Sequence, residues 1–340
     1  MRLIINSRQV IFGAGCLLAV LALIAAGCGN DDDDDGTGVP TVIATTSIWA
    51  DVAANVACDG LAEVSTIIPP GGDPHAFQPS LSDRGNMEDA ALIVANGLLL
   101  EEGLEDTIDA VEEAGTPVFR VADHVSVIEF GSAMGHDDHD EEGGHDHDED
   151  DHAEDDGHGH AHAHGSEDPH VWFDPIRVAD ALPALSQALA SQAGLDAAAL
   201  DECVSAYRSE LIALDAEVEA ILAPLHPEDR LLVTNHDALG YFADRYGFQV
   251  IGTVIPSGST LAAASPVGLQ ELVELIEETG VAAIFSESTH SSDEAEALGQ
   301  EAGVQVLSLD TGSLGPADSS SGTYIGFIRT NAQKIAEGLG

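Results

Sequence analysis

The sequence predicts an α/β fold of two lobes, each a parallel sheet flanked by helices, joined by one long linker helix. Three observations predict it. Short apolar runs alternate with longer helix-periodic runs between residues 39 and 120. The same alternation recurs between residues 231 and 338. Between the two sets lies one amphipathic run, with apolar residues stepping by three and four at Leu200, Val204, Tyr207, Leu211, Leu214, Val218, Ile221 and Leu225. Alternation of this kind lays helices on the faces of a parallel sheet. The stepping puts one apolar stripe on one helix. The length of 340 residues suits two domains plus tails.

Residues 1–27 read as a signal peptide. Arg2 and Arg8 form its positive end, Val10 to Ala26 its apolar run, and Ala25-Ala26-Gly27 a small-residue cleavage site before Cys28. That junction resembles a bacterial lipobox, in which Cys28 is lipidated, although Ala25 stands where Leu is usual. Residues 28–38 are Asp/Gly-rich, with nothing to bury, and suit a solvated tether. The expected location is therefore outside the cytoplasm, lipid-anchored at the outer face of the cytoplasmic membrane. Export also bears on the cysteines. Cys16 lies in the signal and Cys28 at the junction, which leaves Cys58 and Cys203 as a pair in an oxidising compartment. A disulfide between them is expected; two unrelated buried thiols are the alternative.

The first lobe is expected over residues 39–196. Val39–Thr45, Glu63–Ile68, Leu92–Ala95 and Pro117–Arg120 read as strands, with helical stretches near 48–57, 80–90 and 104–115. Within this lobe, residues 135–168 are low-complexity and lack apolar periodicity. Their imidazoles are His136, His139, His145, His147, His152, His158, His160, His162 and His164, set among Asp, Glu, Gly and Ala. The stretch is expected to be disordered without metal and to collect metal ions as an auxiliary. The linker helix is expected over residues 197–224, with Pro224 and Pro227 at its end. A helix of about 25 residues spans roughly 37 Å, enough to run along both lobes and limit their movement. The second lobe is expected over residues 229–340. Its strands are Leu231–Thr234, Phe248–Val254, Ala282–Ser286 and Gln305–Leu309, and its helices lie near 237–246, 266–279, 291–302 and 323–338.

Composition narrows the function. Lys and Arg number 10 against 61 Asp and Glu, for a formal net charge of −51. Such a chain repels phosphate backbones, so no nucleic-acid partner is expected. A cationic ligand fits instead, and 15 histidines put a metal ion first. Four polar residues stand where an open α/β lobe presents its ligands, beyond the carboxyl ends of strands. His75 follows Glu63–Ile68, His236 follows Leu231–Thr234, Asp310 ends Gln305–Leu309, and His170 follows the His-rich stretch. His75 and His170 close the same tripeptide, Asp-Pro-His, in which proline stiffens the backbone before the imidazole. Glu287 also ends a strand, but Ser286, Ser288 and Thr289 around it look like helix-capping material, and it is left out of the ligand set. His124, His226 and His290 have no comparable context. Three imidazoles and a carboxylate, two from each lobe, make a four-donor set suited to zinc.

These residues sit in longer stretches that carry a resemblance. Gly71 to Ser80, His170-Val171-Trp172-Phe173-Asp174-Pro175, Thr234 to Phe242, Leu307-Ser308-Leu309-Asp310, Asn96-Gly97 and the closing helix from Tyr324 to Leu339 resemble the solute-binding proteins of zinc and manganese ABC transporters. The resemblance covers roughly residues 40–340. It implies the metal-type periplasmic binding protein fold, with Zn²⁺ bound between the lobes by His75, His170, His236 and Asp310. It implies a non-enzymatic, monomeric receptor that hands the ion to a membrane permease driven by a separate ATPase. Relatives read as manganese proteins often have a carboxylate at the third position. Here His236 supplies nitrogen, and the His-rich insert is typical of the zinc branch, so Zn²⁺ is expected over Mn²⁺. A zinc hydrolase is the rival from another class, but no HExxH or equivalent local motif appears. An adhesin role is a third reading, since some relatives are described that way.

Overall fold

A computed structural model of the chain describes residues 38–131 and 166–340. The signal peptide, Cys28, nearly all of the tether and the nine insert histidines lie outside the described residues.

The first sheet takes the order β2-β1-β3-β4 and is wholly parallel, from β1 (Thr41–Ala44), β2 (Glu63–Thr66), β3 (Leu92–Ala95) and β4 (Val118–Arg120). The crossovers are α1 (Ser47–Leu61), α2 (Leu81–Glu88) and α3 (Glu105–Ala114). Central strands of such a sheet are covered on both faces, so β3 is buried at every residue. Alternate residues serve opposite faces. Val42, Ala44, Leu92 and Val94 join the main core, while Ile43, Ile93 and Ala95 join a smaller one with Met87, Leu104, Ile108 and Val111.

The second sheet repeats the pattern as β6-β5-β7-β8, again parallel, from β5 (Leu231–Thr234), β6 (Gln249–Thr253), β7 (Ala283–Glu287) and β8 (Gln305–Leu309). Its helices are α6 (Gly240–Tyr246), α7 (Pro266–Thr279), α8 (Asp293–Ala302) and α9 (Tyr324–Leu339). Between the sheets run α4 (Pro175–Gln192) and α5 (Ala197–Leu222). Sequence reasoning found α5 but not α4. The start of α4 is nonetheless well signalled: Asp174 caps the backbone N–H groups of Ile176 and Arg177, and Pro175 fills the first turn. Pro183 stands inside α4, removing one N–H from the helix ladder. The apolar stripe of α5 is buried at Leu200, Val204, Tyr207, Leu211, Leu214, Val218 and Leu222. It packs against α1 and α4 on the first-lobe side and against α9 on the second.

One hydrophobic core therefore runs through both lobes, from Val42 to Leu339, with Trp49, Trp172, Phe173, Phe285 and Phe327 among its fully buried side chains. Each fully buried aliphatic or Phe side chain contributes about 1.5–3 kcal/mol. The structure bonds Cys58, on α1, to Cys203, on α5, with Cα atoms 5.9 Å apart. Polar contacts fasten the lobes as well. Trp172 donates its indole N–H to the Thr311 carbonyl at 3.0 Å, and Tyr324 donates its hydroxyl to the Trp172 carbonyl at 2.7 Å.

Candidate metal centre

Three loops at the carboxyl ends of strands meet between the lobes. His75 sits on the loop after β2, His170 just before α4, and His236 on the loop after β5. All three are at most 2% exposed. The His170 Nε2 atom is 3.3 Å from Nε2 of His75 and 3.2 Å from Nε2 of His236. Among the described residues this is the one group whose ligand atoms all lie within 4.8 Å of one another.

Each imidazole has a carboxylate behind its other nitrogen. Asp168 Oδ1 accepts from both the backbone N–H and Nδ1 of His170, at 2.9 and 2.7 Å. Glu287 Oε1 faces Nδ1 of His236, and its Oε2 accepts from the Thr311 hydroxyl at 2.8 Å. Glu102 Oε1 lies 3.5 Å from Nδ1 of His75. On His170 and His236 the carboxylate at Nδ1 holds the proton there and leaves Nε2 as a lone-pair donor, which fixes both tautomer and ring direction, whereas Nδ1 of His75 makes no such bond. The repeated Asp-Pro-His tripeptide thus has two outcomes. Asp168 grips its own imidazole, whereas Asp73 Oδ1 accepts only the His75 backbone N–H, at 3.0 Å, and turns Oδ2 to Thr260 and His290.

The supports are buried and directional. Asn96 donates to the Pro169 carbonyl at 2.9 Å and accepts from the Trp49 indole N–H at 3.0 Å, so it positions the peptide that enters His170. Tyr241 donates to the Asp168 carbonyl at 2.7 Å from the other lobe. Gly240 leaves room for Asp168: a Cβ there would stand 2.5 Å from Asp168 Oδ2 and force that carboxylate to shift.

Electrostatics set His170 and His236 apart. Burial, with the charges of His236 and His75 adding, pushes His170 well below the ordinary histidine value. Burial also opposes charge on His236, but the charge and hydrogen bond of Glu287 outweigh it and hold His236 above the ordinary value. Burial works against Glu287 too, yet His236 and the Thr311 hydroxyl keep it below the usual carboxylate range. Burial pushes Asp168 up to about 7, against the His170 N–H and the His236 and His75 charges.

Asp310 differs from the expectation. It is not brought into the histidine group. Asn331 of α9 clamps its backbone, accepting from its N–H at 3.1 Å and donating to its carbonyl at 2.6 Å. The following residue, Thr311, is the one that reaches Glu287. Glu287, set aside as a ligand on sequence grounds, lies behind His236 rather than in the ligand group. Sequence reasoning missed this supporting role and that of Glu102. It noticed Asp168 only as the first residue of its tripeptide.

A cavity of about 460 Å³ adjoins His75, lined also by Glu102, Phe130, Gly131, Glu167 and Asp237. Gly131 and Glu167 stand near the two ends of the undescribed segment. Those ends are pinched together by a Glu129–Glu167 antiparallel bridge and by bonds from Phe130 N–H to the Ser166 carbonyl and from Asp168 N–H to the Ile128 carbonyl. Gly131 and Glu167 thus stand at an acidic vestibule beside His75.

Comparison with known proteins shows the family. The family model described as zinc-uptake complex component A, periplasmic (ZnuA), matches residues 42–338. The zinc-binding protein TroA of Treponema pallidum is 29% identical, over 90% of this chain and 91% of that protein. The solved structure of TroA superposes with a TM-score of 0.72 at 28% identity, covering 89% of this chain and 99% of that one. The manganese-binding lipoprotein MntA of Bacillus subtilis is 29% identical over 96% of this chain and 98% of its own length. The iron-binding protein YfeA of Yersinia pestis is 27% identical over 95% and 94%. No helix among the described residues is long and apolar enough to cross a membrane. The chain belongs to the ZnuA family and is a metal-binding, non-enzymatic substrate-binding protein of an ABC transporter, a family that works with a membrane permease and its ATPase.

Proposed function

We propose that this protein is a receptor for Zn²⁺, which it captures outside the cytoplasmic membrane and delivers to its ABC permease for uptake. His75, His170 and His236 bind the ion through Nε2. The observation that carries this is the convergence of three Nε2 atoms with neighbouring separations of 3.2 and 3.3 Å. Nitrogen donors about 2.0–2.1 Å from a tetrahedral zinc stand about 3.3–3.4 Å apart, so little rearrangement is needed to seat it. An all-nitrogen set with no carboxylate in the group suits zinc better than the harder manganese ion. The carboxylates behind the imidazoles add negative charge without becoming ligands. In this reading the chain is a monomer held at the membrane by lipid on Cys28, and the insert histidines, from His136 to His164, are an auxiliary reservoir.

A manganese reading is favoured by one observation, the manganese-binding names of relatives such as MntA. Metal analysis after gentle purification, followed by competition titration, separates the two. One tightly held zinc per chain, lost in His75→Ala, is expected. Equal or tighter binding of Mn²⁺ would overturn the zinc assignment, because zinc exceeds manganese in intrinsic affinity at most such sites.

A further inference from the structure

Asp73 forms a clasp between the lobes that neither the transport role nor the histidine cluster requires. Its Oδ2 accepts a hydrogen bond from the Thr260 hydroxyl at 2.8 Å and another from His290 Nε2 at 2.9 Å. Thr260 lies on the loop between β6 and α7, and His290 on the loop between β7 and α8. Both donors therefore belong to the second lobe, while Asp73 belongs to the first. The other oxygen, Oδ1, accepts the backbone N–H of His75 at 3.0 Å. One carboxylate thus connects two second-lobe loops to the backbone of a first-lobe histidine. Asp73 is only a tenth exposed and His290 a quarter, so water competes weakly for these bonds.

Other parts of the His75 loop also touch the second lobe. Gly71 N–H donates to Ser313 Oγ at 2.7 Å. Gly312 packs so closely on Pro74 that a Cβ there would stand 2.7 Å from its Cδ. These contacts seat the loop by packing and by one backbone bond. Asp73 adds the charge-assisted, directional attachment, to the second-lobe loops that carry Thr260 and His290.

We propose that Thr260 and His290 are positioning residues that hold His75 in register with His236 through Asp73, and so set how fast a bound ion leaves. This deepens the reading of the three histidines as the metal site and rests on it. For His75 to move away from His236, the Asp73 bonds must break first. Charge-assisted hydrogen bonds of this kind are roughly twice as strong as neutral ones. Loss of the clasp therefore falls on the release rate, because most differences in affinity among variants of one site appear in dissociation.

The test is stopped-flow release of Zn²⁺ from the full chain into excess chelator. The variants are Thr260→Val, His290→Ala, the double variant and His290→Gln. Release should quicken about tenfold or more in His290→Ala and further in the double variant. Association should stay within about twofold, and the melting temperature of the metal-free protein should fall by no more than the few degrees that losing these bonds costs. His290→Gln, which keeps a nitrogen donor, should recover much of the slow release. Since a simple loss of packing would not be rescued by Gln and would not fall selectively on release, these readouts separate positioning from general stability. Release within twofold of the parent rate in the double variant, with binding still abolished by His75→Ala, would overturn the clasp while leaving the site intact. Tight binding that survives His75→Ala would overturn the site reading and the clasp with it.

Discussion

Glu287→Gln isolates the charge behind His236. Gln keeps the size of Glu and can still accept from Nδ1 of His236, while the Thr311 hydroxyl can turn to accept from the new amide. What is lost is one negative charge. A hydrogen bond of about 2.8 Å, about 2.2 Å across the ring and about 2.0 Å to the ion place that charge roughly 6–7 Å from the metal. The charge and hydrogen bond of Glu287 hold His236 above its ordinary pKa and so favour its protonated form. Where the metal-free ring carries that proton, loading raises the charge that Glu287 faces from about +1 to +2. One unit at about 6.5 Å and an effective dielectric of about 20 amounts to about 2.5 kcal/mol, or roughly 50–100-fold in Kd. That agrees with the 10–100-fold typical of a lost carboxylate behind a metal-binding histidine. Competition against a chromophoric chelator at pH 7 measures it. The loss should grow at higher pH, where metal-free His236 is neutral and loading presents the full two charges. A change below threefold, with the circular dichroism intact, would refute the claim that Glu287 acts on the ion through His236.

Other outcomes follow from different parts of the molecule. Burial pushes Glu105 up to about 7, with the charges of Glu101 and Asp109 adding and Arg120 opposing. Its folded pKa lies above the 4.5 of an unperturbed Glu, so ionised Glu105 destabilises the fold above pH 7 and the cost fades as pH falls toward 4.5. Glu105→Gln should stabilise by about 1–2 kcal/mol at pH 8 after solvent screening, with the gain shrinking toward pH 5 in urea unfolding; a gain independent of pH contradicts the assignment. The Cys58–Cys203 bond spans 145 residues, and the chain-entropy model gives it about 5 kcal/mol. The Cys58→Ser, Cys203→Ser double variant should approach that loss in denaturant midpoints, and a loss under about 1 kcal/mol would count against the model here. Removing residues 135–165 should lower the number of weakly held zinc ions by equilibrium dialysis and leave one tight site, since the Ile128–Asp168 and Phe130–Ser166 bonds already join the ends; disappearance of the tight site would show that the insert supplies ligands.

The central strands were legible because a parallel strand covered on both faces is a nearly unbroken apolar run, and Leu92–Ala95 and Leu231–Thr234 were read to the residue; the edge strand Gln305–Leu309, buried only at Leu309, was read from its β-branched and leucine content between helical stretches. The long helix was legible for the matching reason, its 3–4 stripe. α4 was not: Pro183 breaks the pattern that a helix is recognised by, although its N-terminal Asp174-Pro175 signal was present. The histidines could be found because proline and strand ends mark their positions along the chain. Their partners could not, because Glu102, Glu287 and His290 acquire meaning only from which loops the fold lays side by side. Asp310 depends on docking in the same way: its backbone is held by Asn331, a contact that follows from how α9 lies against the end of β8.

The shared core has a consequence for the lifetime of the protein. Lobes with separate cores can melt one at a time, and a ligand at their junction then guards only the softer one. Here Val42 and Leu339 belong to a single cluster, so opening either lobe widely means breaking into the same interior. Binding free energy gained at the cleft is then spread over the whole chain: at about a thousandfold excess of ion over Kd it adds about 4 kcal/mol to global stability. Proteases act on the opened fraction, which falls by roughly a factor of a thousand when that energy is added. Metal supply would then set the turnover of the receptor as well as its cargo. A loaded molecule resists cleavage even at α9, and an empty one is removed faster along its entire length.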